Sequence, residues 1–366
     1  MQKLLTLLLF GMATFLARAQ SESLKIGVIG LTHTHVHWIF GSVERGDFEI
    51  AGIVEPNREL AKRYADQYNY PMDKVYNSME ELVDGQNLEA VTAFGSIYDH
   101  LKIVEFFAPK GIHVMVEKPL AVSMDHANKM KALAEKHGIW LLTNYETTWY
   151  PTNHKTRQLI REEYVGAMRK VIVRDGHRGP KKIGVDDEFL VWLTDPELNG
   201  GGAITDFGCY GANLITWLLE GARPRSVTAI TQQLQPENNP KVDDEAIILL
   251  QYDSMVGVIQ ASWNWPIGRK DMEVHGLKGT IFSDNRHDLR VRIAEGYDGF
   301  EEENMKLEER EKPYDDPFSY FAAVIRGAIT PERYDLSSLE NNLMVMEILD
   351  AARSSALAGK AVKLSD

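Results

Sequence analysis

The stretch that decides the fold is Lys25-Ile26-Gly27-Val28-Ile29-Gly30-Leu31-Thr32-His33-Thr34-His35-Val36-His37. It opens as an apolar strand, stops at Gly30 and crosses a polar loop into a helix. A parallel strand that turns at a glycine presents the next helix's free N–H groups to a phosphate. In the G-x-G-x-x-G form of that turn Gly30 takes the first glycine position, while Thr32 and His35 stand at the other two. Larger side chains there hold a pyrophosphate off the backbone, unless their own donors replace the lost contacts.

Working outward, apolar runs alternate with amphipathic stretches. Leu24–Ile29, Phe48–Val54, Leu88–Phe94, His113–Val116 and Ile139–Thr143 read as buried strands. Between them Arg58–Tyr68, Met79–Val83, Leu101–Pro109 and Met124–His137 read as helices, with Ser78 and Ser123 at capping positions. This alternation predicts a doubly wound parallel sheet, a Rossmann domain over residues 20–143 that binds ligands at the strands' carboxyl ends. After Asn144 the rhythm changes. Met168–Arg174, Arg225–Leu234, Glu245–Tyr252, Val256–Ser262 and Lys270–His275 form a strand set with few helices between them, and residues 144–366 therefore form a second, α+β domain with an open, mostly antiparallel sheet. Ile204–Leu219, Phe318–Arg326 and Leu339–Ala358 are its helices, the last placed to pack back on the first domain. The acidic run Glu301–Glu311 reads as a solvated surface segment.

The chain has 366 residues, enough for two domains, and its 44% hydrophobic content excludes a disordered protein. A net charge of -13 disfavours nucleic acid and anionic lipid as partners. Residues 1–19 have the pattern of a signal peptide: Lys3, an apolar run from Leu4 to Leu16, then the small-x-small string Ala17-Arg18-Ala19. The expectation is Sec-type export to a periplasmic or external location, with no lipid or membrane anchor. Cys209 is the only cysteine, so no intrachain disulfide forms.

Several motifs carry chemistry. Glu55 ends the second strand, where an acid accepts hydrogen bonds from a ribose and repels a 2′-phosphate. NAD is favoured on that ground, although Arg58 nearby keeps NADP as the alternative. In Glu117-Lys118-Pro119 the proline ends the strand and leaves Lys118 at its carboxyl end, able to share a proton with a reacting oxygen. Asp206, Tyr210 and Asn213 follow Gly200-Gly201-Gly202 at helical spacing and form a polar stripe on an apolar helix. His33, His35 and His37 read first as contacts to phosphate or substrate; metal binding, in which His33 and His37 share a helix face and a catalytic site needs a third ligand and an open position, and plain structural hydrogen bonding are the alternatives. No metal is assigned. Tyr145, Trp149, Trp192, Trp263 and Trp265 are candidates for flat walls against a sugar, with Asn144, His177 and Arg178 as readers of its hydroxyls.

Together these strings resemble the Gfo/Idh/MocA oxidoreductases over essentially the whole chain after residue 19. Besides the two glycine motifs and Glu117-Lys118-Pro119, the likeness rests on Glu55, His100 and the ending Asn341-Asn342, Ala351-Ala352 and Gly359-Lys360. Gly208-x-Tyr210-x-x-Asn213 leans towards the glucose–fructose oxidoreductase branch. The resemblance implies Lys118, Tyr210 and Asp206 as catalytic residues. It implies NAD or NADP held by Gly30, Thr32, His33, His35, Glu55, Ser96, His100, Glu117 and Lys118. It implies a sugar, polyol or glycoside substrate, for which Asn144, Tyr145, His177, Arg178 and Asn213 are the expected contacts, and a homo-oligomer through the second sheet. A closed redox cycle, including oxidation, elimination and re-reduction of a glycoside, suits an enzyme working where free NAD is scarce. A non-catalytic sugar-binding protein and a metal-dependent hydrolase or lyase built on the histidine loop are the competing readings.

Overall fold

The computed structural model describes residues 23–364; the expected signal segment lies outside them. Strands β1 (Leu24–Ile29), β2 (Phe48–Val54), β3 (Val75–Tyr76), β4 (Ala90–Ala93), β5 (His113–Glu117) and β6 (Leu141–Asn144) form an all-parallel sheet in the order β3-β2-β1-β4-β5-β6. Helices α1 (Val36–Ser42), α2 (Arg58–Tyr68), α3 (Met79–Gly85), α4 (Asp99–Phe107) and α5 (Met124–His137) connect them. β1, β4 and β5 are apolar because both of their faces are covered. The strand order reverses between β1 and β4, which opens the ligand crevice of such sheets above Gly30. Gly30 has φ +80, and a β-carbon on it would stand 3.0 Å from the Gly95 amide nitrogen. Only glycine fits this turn.

The second domain contains α6 (Pro151–Arg161), β7 (Met168–Gly176), α7 (Asp187–Leu193), α8 (Gly208–Leu218) and the strands β8 (Ser226–Gln232) to β15 (Val362–Lys363). Its nine-stranded sheet runs β14-β13-β12-β11-β7-β10-β9-β8-β15, where β9 is Glu245–Gln251, β10 Val256–Ser262, β11 Arg269–Gly276, β12 Gly279–Ser283, β13 Asp288–Glu295 and β14 Gly299–Lys306. Only β7 and β10 pair in parallel. Every residue of α8 is buried against the inner face of this sheet. Two later helices, α9 (Pro317–Ile325) and α10 (Leu339–Ala358), return to the first domain. α10 lies against α5 and β6. α9 goes further: Phe318, Tyr320 and Phe321 join the same apolar cluster as Leu24, Phe48, Phe94 and Met115. The seam is pinned by Arg45 on Asp315 at 2.7 Å and Ser319 on Asp47 at 2.7 Å.

Two sequence expectations change. Ile204–Leu219 is not one helix: a single turn at Ala203–Asp206 breaks at Phe207 before α8 begins. The acidic segment around Glu301 is the edge strand β14, whose exposure on both faces removes the apolar alternation by which strands are read. β12 and β13 also escaped the reading, although Asp288–Glu295 alternates buried and open residues.

Phe318→Ala should lower the unfolding free energy by about 3–5 kcal/mol, the cost of emptying a buried aromatic site. Denaturant unfolding followed by tryptophan fluorescence measures it. A loss under about 1 kcal/mol would show that α9 is not integral to the first domain's core.

Candidate active site

Lys118 sits at the carboxyl end of β5, almost fully buried. Its ammonium forms an ion pair with Asp206 Oδ1 and donates to the Asp206 carbonyl at 3.2 Å. Asp206 Oδ2 accepts the Trp263 indole N–H at 2.9 Å. The triple glycine explains how Asp206 reaches this spot. A β-carbon on Gly202 would lie 1.8 Å from the Asp243 carbonyl oxygen. Only glycine lets the turn sink onto Asp243, whose carboxylate accepts the amides of Gly202 at 2.9 Å and Ile204 at 2.7 Å. Burial opposes charge on Lys118, and Asp206 more than offsets it, holding the ammonium protonated well above the ordinary lysine range. Burial likewise pushes the Asp206 carboxyl up, and Lys118 brings it below its usual value.

The pair opens on a cavity of about 650 Å³ between the domains. Tyr210, Phe207, Phe189 and Tyr150 supply aromatic wall, and His33, Thr34 and His35 lie at the first-domain end. Burial raises the Tyr210 phenol well above its normal range, so it is a hydrogen-bond donor at neutral pH. Lys118 Nζ and Lys270 Nζ stand 5.3 and 4.7 Å from the centre of its ring. Lys270 pairs with Glu146, which also accepts the Tyr150 hydroxyl at 2.5 Å. Burial alone would raise the Glu146 carboxyl; Lys270 and Tyr150 instead hold it down at about 2. Behind this pair Asp175 is buried, with both carboxyl oxygens lacking a partner among the described residues, and burial pushes its carboxyl well above the usual range. His177 Nδ1 accepts the Gly179 amide at 3.0 Å, so the neutral ring carries its proton on Nε2.

Two family models match in tandem. "Oxidoreductase family, NAD-binding Rossmann fold" covers residues 24–145 and "GFO/IDH/MocA C-terminal domain" covers residues 153–282. The chain belongs to the Gfo/Idh/MocA family. As a family member it is an NAD(P)-dependent oxidoreductase. It is 27% identical to the trans-1,2-dihydrobenzene-1,2-diol dehydrogenase of Xenopus tropicalis over 64% of this chain and 67% of that one. It is 25% identical to D-xylose 1-dehydrogenase (NADP(+)) 2 of Haloferax volcanii over 93% of this chain and 100% of that one. The same fold occurs in the aldose-aldose oxidoreductase of Caulobacter crescentus, TM-score 0.77 at 21% identity, covering 93% and 100% of the two chains. An inositol dehydrogenase homologue of Azotobacter vinelandii superposes with TM-score 0.80 at 18% identity, covering 94% and 98%.

The loop after β1 closes on itself. Its amides turn inward: Leu31 N to Glu55 Oε2 at 3.0 Å, Thr32 N and His33 N to the Phe94 carbonyl, and His35 N to His33 Nδ1 at 3.0 Å. α7 of the second domain packs over the loop. Trp192 Nε1 donates to Thr32 Oγ1 at 3.0 Å, Phe189 lies 4.6 Å from the His33 ring, and Glu188 pairs with Arg63 on α2. The loop offers no open amide cradle, so a bound NAD would be met by the Gly30 turn and by Thr34 and Lys118, which face the cavity. Glu55 also accepts the Asn57 amide at 2.9 Å and so braces the loop from behind. Ser96 bonds Asp99 at 2.6 Å, and His100 is fully buried against the Leu120 carbonyl, positioning the segment after Lys118.

Of the expected substrate contacts, His177 alone lines the cavity. Asn144 is turned inward, donating to Glu117 at 2.8 Å and accepting from Trp149 at 3.0 Å. Tyr145 is buried edge-on behind Tyr210. Arg178 is exposed off the cavity wall. Asn213 donates to the Leu336 carbonyl at 2.8 Å, because the break at Phe207 turns it away from Asp206. None of the four tryptophans is on the cavity wall. His37 leaves the group and meets the Tyr68 hydroxyl at 2.5 Å. Glu146, Tyr150, Lys270, Arg269 and Arg286 line the cavity and escaped the sequence reading.

Glu146 gives a pH test. Its folded pKa lies below the ordinary carboxylate value, so its ion pair stabilises the fold above roughly pH 4.5 and is lost as pH falls towards 2. Glu146→Gln should therefore lower Tm clearly at pH 7 and much less at pH 3. An equal loss at both pH values would show that the charge is not what stabilises.

Proposed function

We propose that the protein is an exported dehydrogenase acting on a CH–OH group of a sugar, polyol or glycoside, with its NAD retained and recycled. The observation that carries this is the buried Lys118–Asp206 pair opening beside Tyr210 into the cleft between the domains. NAD, when bound, takes up and returns the hydride. The chain's own groups move the proton. The Lys118 ammonium, held charged by Asp206, gives its proton to the reacting oxygen when a ketone is reduced and takes it back when the alcohol is oxidised, and Tyr210 donates a hydrogen bond to the same oxygen. The Trp263 indole supports Asp206 throughout. His177, Arg269, Arg286 and the Glu146–Lys270 pair give the cavity the polar density that a polyhydroxylated substrate needs. The names of the relatives, a xylose dehydrogenase and an aldose-aldose oxidoreductase among them, support the same substrate class.

A glycoside-cleaving cycle is consistent with a second acid–base set in the same cavity. Once a ring hydroxyl is a ketone, the neighbouring C–H is acidic, and the Glu146–Lys270 pair lines the same cavity beside Tyr150. Export rests on Lys3, the run Leu4–Leu16 and Ala17-Arg18-Ala19. Cofactor retention is supported by α7 lying over the loop. A homo-oligomer is supported by Ile230, Ile247 and Leu249, which stand exposed on the outer face of the second sheet.

Lys118→Ala and Tyr210→Phe should each lower the turnover rate about 10²–10⁴-fold, with the double mutant far from additive. Steady-state kinetics on a sugar panel reads this, beside mass spectrometry of the nucleotide released on denaturation. Near-normal rates in both single mutants would move the site elsewhere. Native protein that carries no nucleotide and cannot be loaded with NAD or NADP would overturn the retained-cofactor reading.

A further inference from the structure

We propose that His33, His35 and Glu117 bind a divalent metal ion of the zinc–iron class at the first-domain end of the cavity. The three residues come from two strand ends. The histidines lie on the loop after β1, and Glu117 is the last residue of β5. One ligand atom from each lies within 4.8 Å of the other two. The His35 Nδ1 to Glu117 Oε2 separation is 2.9 Å, and His33 Nε2 to the same oxygen is 3.9 Å. An ion about 2.0–2.2 Å from each ligand sets neighbouring ligand atoms roughly 3–3.5 Å apart, so the two separations straddle what a bound ion requires.

Charge and the surrounding shell support the assignment. Glu117 is 1% exposed, and its neighbouring ammonium, Lys118, is turned onto Asp206. A buried carboxylate in that position calls for a cation. Its other oxygen, Oε1, is fixed by Asn144 Nδ2 at 2.8 Å, which leaves Oε2 directed at the two histidines. An outer-shell donor orienting a carboxylate ligand is characteristic of metal sites. His33 is held between the His35 ring at 4.5 Å and Phe189 at 4.6 Å, and His35 stacks on Trp38 at 3.7 Å, so neither ring needs ordering on binding. Ligation through His33 Nε2 places the ring proton on Nδ1 and gives up the bond from the His35 amide, and ligation through His35 Nδ1 and Glu117 Oε2 gives up the hydrogen bond between them, so two hydrogen bonds are exchanged for three metal bonds.

Two histidines and one carboxylate leave coordination positions open, the composition of catalytic zinc and non-haem iron sites. His33 and His35 line the cavity with Lys118, so an open position faces the substrate beside the proton-transfer pair. The ion there would polarise a substrate oxygen. This goes beyond hydride transfer and does not depend on it. It also replaces the all-histidine grouping of the sequence, since His37 belongs to Tyr68 and the third ligand comes from β5.

The test uses the full chain stripped with chelator and dialysed against zinc or, anaerobically, ferrous ion, with metal and nucleotide content measured on the same sample. Cobalt substitution adds a visible absorption band that reports direct ligation. Wild type should take up one ion per chain. His35→Ala and Glu117→Gln should each weaken uptake at least about 100-fold, more than the loss of an outer-shell partner costs. His37→Ala should bind as wild type does. Circular dichroism checks that Glu117→Gln folds, and the wild-type stoichiometry and cobalt spectrum need no variant. Wild type that takes up no stoichiometric ion of either kind, or His35→Ala that binds as wild type, would overturn the site, whatever the nucleotide content. Nucleotide missing while metal is present would instead overturn the retained-cofactor reading alone.

Discussion

The contact on which the rest depends is the ion pair between Lys118 and Asp206. Its two ends come from different domains, and both are almost fully out of water. Removing one partner of such a pair leaves an uncompensated charge, typically at a cost of about 3–5 kcal/mol. The pair therefore fixes the spacing of the domains as well as the proton chemistry. The Trp263 indole and the Asp206 carbonyl add a hydrogen bond to each end of the pair, which lowers the cost of holding it so deep in the molecule. The cavity exists because β5 and the Gly200–Gly202 turn meet at this point and diverge beyond it.

Much of this was legible because the chemistry lies in short strings. Lys118 is placed by the proline after it, Asp206 by the glycines before it, and both domains by the change from strand–helix alternation to strands alone. What stayed hidden lies in pairings across long sequence distances. Glu146 and Lys270 are 124 residues apart, and neither belongs to a motif; Glu146 stands in the turn after β6 and Lys270 on β11 opposite Asp175, and only the folded chain brings them together. Asn213 was misread because helical spacing was extended through Phe207, where the helix breaks. The tryptophans were misread because an indole has two uses. Trp149, Trp192 and Trp263 give their N–H groups to Asn144, Thr32 and Asp206, serving the scaffold rather than a sugar face.

The loop after β1 shows how a fold can keep its outline and change its local chemistry. Gly30 retains the conformation that only glycine supplies, so the crevice is in its usual place. The residues after it satisfy their own amides and project side chains instead. Glu55, expected to face a ribose, holds the loop in that shape through Leu31 and Asn57. α7 then ties the loop to the second domain. Motion of the two domains about the cleft must break the Trp192–Thr32 bond and the Arg63–Glu188 pair together, which favours a closed cleft.

The return of α9 to the first sheet has a consequence for how the chain acquires its structure. Residues 24–144 hold all six strands of that sheet, yet the apolar cluster containing Phe48 and Phe94 is covered only when Phe318 and Phe321 arrive. During synthesis more than two hundred residues separate Phe48 and Phe94 from Phe318, a contact of very high sequence separation. Long-range closures of this kind slow folding and leave intermediates with open apolar surface. The amino-terminal half is thus a partner waiting for its own carboxyl-terminal tail, and the native state is reached late, when the chain is almost whole.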